Sequence, residues 1–356
     1  MALKPQRGSP PNDKQPSLID EEAASRAAST TKDGNAPAGR EPGSRGRDAT
    51  WPSQITGLGW KDIFWRLWEE FNKDRVLLVA AGATFYLLLA LFPALAAFIS
   101  IYGFVADPVT VADDVAYLQG LLPQGGLDLI RDQLQALARQ KAGALGTGFF
   151  IGLTIALWSA NSGMKALFDA MNIAYEEREK RSFLVLNLMS ILFTAGALLI
   201  GIVLLLTVGV VPSLLRFFYL DAWTETVVAV SRWPILVVSI LTGISLLYRF
   251  GPSREHAKWR WLSWGALAAT AAWIIASWLF SFYLQHFANY NATYGSLGAV
   301  VGLMMWTWIS VIILIAGAAI NAEMEHQTAC DSTTGPAVPM GERGAVVADT
   351  LGKTAD

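Results

Sequence analysis

Charged residues are scarce in this sequence: they make up 16% of the chain, and none falls between Trp261 and Ala322. In globular proteins they are ordinarily about a quarter of all residues. A helix needs roughly 20 apolar residues to cross the hydrocarbon core of a bilayer, so the uncharged run is long enough for two crossings. The shortage of charge therefore excludes a soluble globular protein and predicts an integral membrane protein.

Cysteine and histidine are also rare, which limits the chemistry available to the chain. The single cysteine, Cys330, excludes an intrachain disulfide. The three histidines, His256, His286 and His326, form no pair at metal-ligand spacing, and the sequence contains no HExxH, P-loop or GxSxG motif. We therefore predict a protein that is not an enzyme, with no catalytic residues, no metal, no cofactor and no nucleic-acid partner.

The gaps between charged residues predict an all-α protein with six transmembrane helices. The spans, within a transmembrane domain at 58–326, are predicted at 76–103, 142–164, 183–212, 233–249, 262–284 and 297–320. Pro93 predicts a helix kink in the first span, or the end of a half-helix there, because proline lacks the backbone N–H that a helix uses. The segments 1–57 and 327–356 are predicted to be disordered cytoplasmic tails, since such polar stretches bury little apolar surface.

The distribution of basic residues predicts the orientation of these spans. With the N-terminus in the cytoplasm, eleven basic residues flank the inner ends of the helices and five lie in the outer loops. The inner set is Lys61, Arg66, Lys73, Arg75, Arg178, Lys180, Arg181, Arg249, Arg254, Lys258 and Arg260; the outer set is Arg131, Arg139, Lys141, Arg216 and Arg232. The positive-inside rule then puts both termini in the cytoplasm.

The segment 59–75 has the pattern of an amphipathic helix. Its apolar side chains recur three and four residues apart, and its charged side chains fall between them. Such a helix either lies in the membrane interface or packs against the protein's own loops, and the sequence leaves both alternatives open. The first outer loop, 107–141, has a similar pattern and is also predicted to rest on the membrane surface.

Polar residues near the spans are the candidates for a functional site, because burying them in a membrane is costly. A stripe on one helix face after the second span is a candidate substrate path: Asn161, Lys165, Asp169 and Asn172. The hairpin between the last two spans adds Asn289, Asn291 and Tyr294 to that path. A second set, Arg75, Arg249 and Glu323, is predicted to form a charge cluster at the cytoplasmic ends of the helices.

Three stretches of the chain carry a resemblance to a known family. They are AAGATFYLLLALFPAL, LWSANSGMKALFDAMNIAYEEREKRSF, and a C-terminal block that runs from LLYRFGPSREHAKWRW to YNATYGSLGAVVGLMMW and beyond. With these motifs the chain resembles the YihY/BrkB family of bacterial inner-membrane proteins, some of which carry an inherited ribonuclease BN label. The resemblance implies six transmembrane helices and a location in the cytoplasmic membrane, and it supplies no catalytic residues.

Two functions fit the sequence. The first is a transporter-like protein for an amphipathic or lipid-linked substrate of the cell envelope, which would combine a proline-broken helix, a polar stripe and interfacial helices. The second is a membrane scaffold that transports nothing and maintains envelope integrity. Membrane lipids are the expected partners in either case, and self-association of the chain is compatible with both. The ribonuclease label finds no support among the residues.

Overall fold

The computed structural model describes residues 45–102, 130–132, 135, 147–205, 222–286 and 298–355. The named elements in these ranges are helices, and the β structure they contain is an isolated bridge between Ala257 and Thr333. A 3-10 helix at Pro52–Gln54 precedes eight α-helices, which are α1 (Gly57–Lys73), α2 (Val76–Tyr102), α3 (Thr147–Ala174), α4 (Phe183–Leu205), α5 (Ala222–Phe250), α6 (Trp259–His286), α7 (Gly298–His326) and α8 (Val346–Asp349). The all-α prediction is confirmed.

Five of the described helices are long and apolar enough to cross a membrane. These segments are Val76–Phe98, Phe183–Val203, Trp233–Phe250, Trp259–Leu284 and Gly298–His326. They coincide with five of the six predicted spans. The remaining predicted span, 142–164, falls on α3, which continues to Ala174 and is not among the five, while residues 142–146 lie outside the described part of the chain.

Side-chain caps and tight turns mark the ends of α1 and α3. The Thr56 side chain caps α1 by accepting a hydrogen bond from the Gly59 N–H at 3.4 Å. Arg75, with φ of 50°, makes the turn between α1 and α2, and Glu176, with φ of 53°, follows the end of α3. The N–H of Glu177 donates to the Asn172 carbonyl at 2.8 Å, which satisfies one of the last α3 carbonyl groups.

Proline does not interrupt the first long helix. α2 continues through Pro93 for nine further residues, from Ala94 to Tyr102, so the alternative in which the helix ends at this proline is wrong. The predicted kink at Pro93 stays a prediction. α5 likewise contains Pro234 within its length.

The helices pack around a core of aromatic and small residues. α2 lies along α3, α6 lies along α7, and α7 also contacts α2 and α3. The buried centre includes Phe168, Met171, Tyr175, Tyr248 and Ile315. The hydroxyl of Tyr248 donates to the Leu314 carbonyl at 2.8 Å, which ties α5 to α7.

Glycines of α6 and α7 bring the backbones of these two helices close together. A Cβ atom on Gly265 would lie 2.2 Å from the Gly317 carbonyl oxygen, and one on Gly317 would lie 2.4 Å from the Tyr248 hydroxyl. The backbone N–H of Gly265 also donates to Asn321 Oδ1 at 2.8 Å. Small residues thus let two membrane helices approach and exchange a polar contact.

The structure differs from the prediction of disordered tails wherever it describes them. Residues 45–57 contain buried Ala49 and Ile55, and residues 327–355, here called the C-terminal segment, contain buried Gln327, Thr328 and Arg343. Arg343 donates to the carbonyls of Ala329 and Ala348 and thereby holds the segment to itself. The prediction failed because polar hydrogen bonds order this segment. Such bonds leave no apolar periodicity in the sequence, which is the pattern from which order is predicted. Residues 1–44 lie outside the described residues.

α1 combines the two alternatives that its sequence left open. Its Ile63, Asp62 and Arg66 are buried against the protein, whereas Phe64 and Trp68 are 59% and 74% exposed. One face of α1 therefore packs on the protein. The charged end of the bundle is used below for α1, the α3–α4 and α5–α6 connections and the C-terminal segment. The aromatic face is left free and has the character of a membrane-interface helix. For the predicted outer helices at 107–141, only residues 130–132 and 135 are described, and they are helical.

We expect Gly265→Ala to destabilise the protein by about 1–3 kcal/mol, because the added methyl group forces α6 and α7 apart. Gly243→Ala is the matched control, since a Cβ at that helical glycine would meet no atom within 4 Å. Thermal unfolding of both variants in the same detergent provides the measurement. Equal melting temperatures for the two variants would contradict the close contact.

Candidate functional site

The predicted stripe on α3 does not form one continuous polar surface. Asn161 and Asn172 are buried, Lys165 is half-buried and Asp169 is exposed. The Lys165 ammonium lies 5.8 Å from the ring centroid of Trp158 and 5.9 Å from that of Phe183. The stripe is therefore divided into a buried amide at each end, with an aromatic contact between them.

Asn161 belongs to a polar contact between α3 and α4. Its amide nitrogen donates to Asn187 Oδ1 at 3.4 Å, and its own Oδ1 is buried without a hydrogen-bond partner among the described residues. Asn187, Ser190 and Thr194 follow at spacings of three and four on α4, and all three are buried. Their side chains donate to carbonyls of their own helix. Asn161 of α3 and these three side chains of α4 thus form a line of buried polar groups on two largely apolar helices.

Asn172 lies in a network at the charged end. It donates to Glu179 Oε2 at 3.1 Å and accepts from the Ser253 N–H at 2.7 Å. Arg181 binds both carboxylate oxygens of Glu179 and also donates to the Gly251 carbonyl. Burial alone would raise the pKa of Glu179, but the hydrogen bonds from Arg181 and Asn172 outweigh it and lower this pKa to about 2.

The predicted charge cluster has a different composition from the one expected. Glu323 is fully buried, and its Oε2 pairs with Arg66 Nε rather than with Arg75 or Arg249. Arg249 donates to the Ala257 carbonyl at 2.9 Å and lies over the Trp259 ring. Arg75 occupies the turn between α1 and α2. The pairing of Glu323 with Arg75 or Arg249 was therefore wrong, because α1 rather than a span supplies the arginine.

Arg66 joins three parts of the chain. Besides Glu323, its guanidinium donates to Gln327 Oε1 at 2.8 Å and to the Lys353 carbonyl at 2.7 Å. Gly352 passes so close that a Cβ there would lie 2.5 Å from the Arg66 Cζ. α1, α7 and the C-terminal segment therefore meet on one buried side chain.

Two further buried carboxylates stabilise the same end. Asp62 Oδ1 accepts from Arg45 at 2.5 Å and from the Ala355 N–H at 2.9 Å. Glu325 accepts both terminal nitrogens of Arg254, at 3.2 and 2.7 Å, and the Ser332 hydroxyl at 2.6 Å. Such charge-assisted and bidentate bonds are stronger than neutral ones. The buried charges are therefore paired.

A cavity of about 210 Å³ opens beside Arg66. Side chains of α1, Glu176, His326 and residues 351–353 line it. Glu70, Glu323 and His326 bring ligand-type atoms within 4.8 Å of one another here. Burial and the neighbouring Glu323 carboxylate raise the pKa of Glu70 to about 9.

Sequence reasoning missed Asp62, Arg66 and Glu70 as a set, although a signal was present. These residues recur every four positions and so lie on one face of α1. The sequence could not tell that this charged face, and not the aromatic one, packs on the protein. The hairpin candidates Asn289, Asn291 and Tyr294 lie outside the described residues.

The sequence profile of the family described as "Virulence factor BrkB" matches residues 67–340. The chain belongs to this BrkB family. The match covers Glu70, Arg254, Glu323, Glu325 and His326, whereas Asp62, Arg66 and the last part of the C-terminal segment lie outside it. No solved structure gives a significant match to the chain.

Individual BrkB relatives are similar over most of their length. The chain is 32% identical over 252 residues to a Bacillus subtilis protein named "Putative ribonuclease-like protein YfkH", which covers 68% of this chain and 88% of that protein. It is 27% identical over 263 residues to a UPF0761 membrane protein of Idiomarina loihiensis, covering 72% of this chain and 89% of the relative. A Neisseria meningitidis UPF0761 membrane protein is 24% identical to the chain over 267 residues, and this match covers 74% of this chain and 62% of the relative.

We expect Arg66→Ala to destabilise this BrkB-family protein by about 3–5 kcal/mol, because the buried Glu323 carboxylate loses its cation. Lys61→Ala, at an exposed position of the same helix, is the control and should change stability little. Thermal unfolding in detergent measures both. A double variant, Arg66→Met with Glu323→Leu, should recover part of the loss, because no charge is then left unpaired. A loss as large as that of the single variant would contradict the unpaired Glu323 carboxylate as its cause.

The Glu179 carboxylate predicts a pH-dependent stability. Its folded pKa, about 2, is below the ordinary value of 4.5, so its stabilisation is fully present above about pH 4.5 and is lost as pH falls through 2. We expect the melting temperature of the wild type to exceed that of Glu179→Gln at pH 6, and the difference to shrink toward pH 2. Glu255→Gln, at an exposed glutamate, controls for loss of one negative charge. A difference that is constant with pH would contradict the pairing.

Proposed function

We propose that the protein is transporter-like and moves an amphipathic or lipid-linked substrate of the bacterial cell envelope. The observation that carries the proposal is the polar line between α3 and α4, which comprises Asn161, Asn187, Ser190 and Thr194. Polar groups inside membrane helices are costly and commonly mark substrate paths. Asn161 Oδ1, which is buried without a hydrogen-bond partner in the described part of the chain, offers an acceptor to a passing polar group.

The same proposal locates the chain in the cytoplasmic membrane with both termini in the cytoplasm. The excess of basic residues at the charged end supports this orientation. The exposed aromatic residues Phe64 and Trp68 on α1 support contact with the membrane interface at that end. Membrane lipids are the partners that such a surface would meet.

A scaffold that maintains envelope integrity is the second candidate. The observation that favours it is the C-terminal segment, which contacts α1, α7 and the α5–α6 connection. A segment held by buried ion pairs and backbone hydrogen bonds presents a fixed surface, as a docking platform requires. This reading needs no substrate path.

Flux through the polar line separates the two candidates. The assay uses liposomes that contain the purified protein and phosphatidylglycerol labelled on its headgroup. We expect the protein to move labelled lipid from the inner to the outer leaflet, where an impermeant quencher reaches the label. Thr194→Val should slow this exposure at least about fivefold, since a path group worth roughly 1 kcal/mol is removed. Thr242→Val is the matched control, because Thr242 makes the same hydroxyl-to-carbonyl bond within its helix but is exposed.

Equal rates for protein-free and protein-containing liposomes would contradict transport of this lipid class, and normal flux in Thr194→Val would contradict the path.

The proposal also excludes catalysis and nucleic-acid binding. The word "ribonuclease-like" in the name of the Bacillus subtilis relative makes RNA the substrate to test. RNA cleavage by the purified protein that one acidic substitution abolishes would overturn this part of the proposal.

A further inference from the structure

Three potential ligands converge on the cavity beside Arg66. Glu323 and His326 are three positions apart on α7 and so lie on one helix face, and Glu70 approaches them from α1. His326 Nδ1 lies 3.7 Å from Glu323 Oε1. Helical Glu-x-x-His pairs with an added glutamate also supply the ligands of carboxylate-bridged metal centres. This Glu-x-x-His spacing is visible in the sequence.

The hydrogen bonds around His326 determine which ring nitrogen faces Glu323 as an acceptor. The Thr350 hydroxyl donates its single hydrogen to the Val346 carbonyl at 2.7 Å. It therefore accepts from His326 Nε2, which lies 2.8 Å from Thr350 Oγ1. In the neutral ring, the hydrogen on Nε2 leaves the lone pair on Nδ1, on the side of Glu323. Thr350 thus holds the ring as the outer partners of metal-bound histidines do.

Glu323 contributes a carboxylate oxygen to this group of ligand atoms. Its side chain is fully buried, and Arg66 occupies only Oε2. Oε1 and His326 Nδ1 are both buried and have no hydrogen-bond partner within the described ranges. A buried acceptor without a donor is costly, and here two such acceptors face each other beside the carboxyl group of Glu70. A cation placed among them would satisfy all three.

The ligand chemistry selects the kind of cation. One imidazole with two carboxylates suits Zn²⁺ or Mn²⁺, whereas Mg²⁺ and Ca²⁺ prefer oxygen ligands alone. Tetrahedral Zn²⁺ with bonds near 2.0–2.1 Å puts ligand atoms roughly 3.3 Å apart. The present 3.7 Å between Nδ1 and Oε1 is close to that spacing. Three protein ligands would leave a fourth position for water from the cavity.

We propose that Glu70, Glu323 and His326 bind one divalent transition-metal ion of the Zn²⁺ class. The site does not depend on the transport proposal, since it lies at the charged end and not along the α3–α4 line. Its ligands come from α1 and α7, and Thr350 brings the C-terminal segment to the ring of His326. Bound metal therefore links these three parts of the chain.

The test uses the full chain in detergent, stripped with a chelator and then titrated with Zn²⁺. We expect one equivalent to bind and to raise the melting temperature. Glu70→Gln and His326→Gln should each weaken binding more than about tenfold. Glu69→Gln is the matched control, because Glu69 neighbours Glu70 and lines the same cavity but does not belong to the three ligands.

Substitution of Glu70 or His326 leaves the Arg66–Glu323 pair intact, so these variants remain testable where a Glu323 variant fails to fold. The X-ray absorption spectrum of the Zn²⁺ form should show the scattering of one coordinated imidazole, and this signal should be absent in His326→Gln. Absence of stoichiometric Zn²⁺ binding, binding unchanged in both ligand variants, an equal loss in Glu69→Gln, or tighter binding of Mg²⁺ than Zn²⁺ would each overturn the proposal. Failed transport with intact Zn²⁺ binding would leave this site standing.

Discussion

The buried ion pair between Arg66 and Glu323 is the interaction on which the charged end depends. Removing two charges from water is expensive, and attraction repays the cost only when the remaining polar atoms are also satisfied. On the arginine side the condition is met, because Arg66 also donates to Gln327 and to the Lys353 carbonyl, whereas Glu323 Oε1 has no hydrogen-bond partner among the described residues. Because Glu323 belongs to α7, and Gln327 and Lys353 belong to the C-terminal segment, the arrangement requires α1, α7 and residues 327–355 to assemble together.

The middle and the last turns of α7 follow different physical rules. Along the middle of the helix, small residues and apolar contacts allow α6 to approach, and Gly265 and Gly317 determine the distance between the backbones. At its last turns, Asn321, Glu323 and Glu325 are all fully buried and make polar contacts. A single helix thus passes from dispersion-dominated packing to charge pairing, and the polar line of α3 and α4 lies on other helices of the bundle.

Most of the helices could be predicted from the sequence because charged residues bracket the apolar spans. α2 and α7 begin within one residue of their predicted starts. The partner of Glu323 could not be predicted, since Arg66, Arg75 and Arg249 are all expected on the same side of the membrane and only the tertiary fold chooses among them. The ordered C-terminal segment escaped prediction for a related reason. Its contacts are long-range hydrogen bonds to residues such as Asp62 and Arg47, which leave no periodic trace.

The passage of Gly352 over the Arg66 guanidinium has a consequence for the order in which the chain is made. Arg66 and Asp62 leave the ribosome long before residues 352–355, which complete their hydrogen bonds. The long helices can enter the membrane during synthesis, but the charged end cannot close until translation has passed these residues. Assembly of this end is therefore a late, post-insertion step, and α1 stays solvated or on the membrane surface until then.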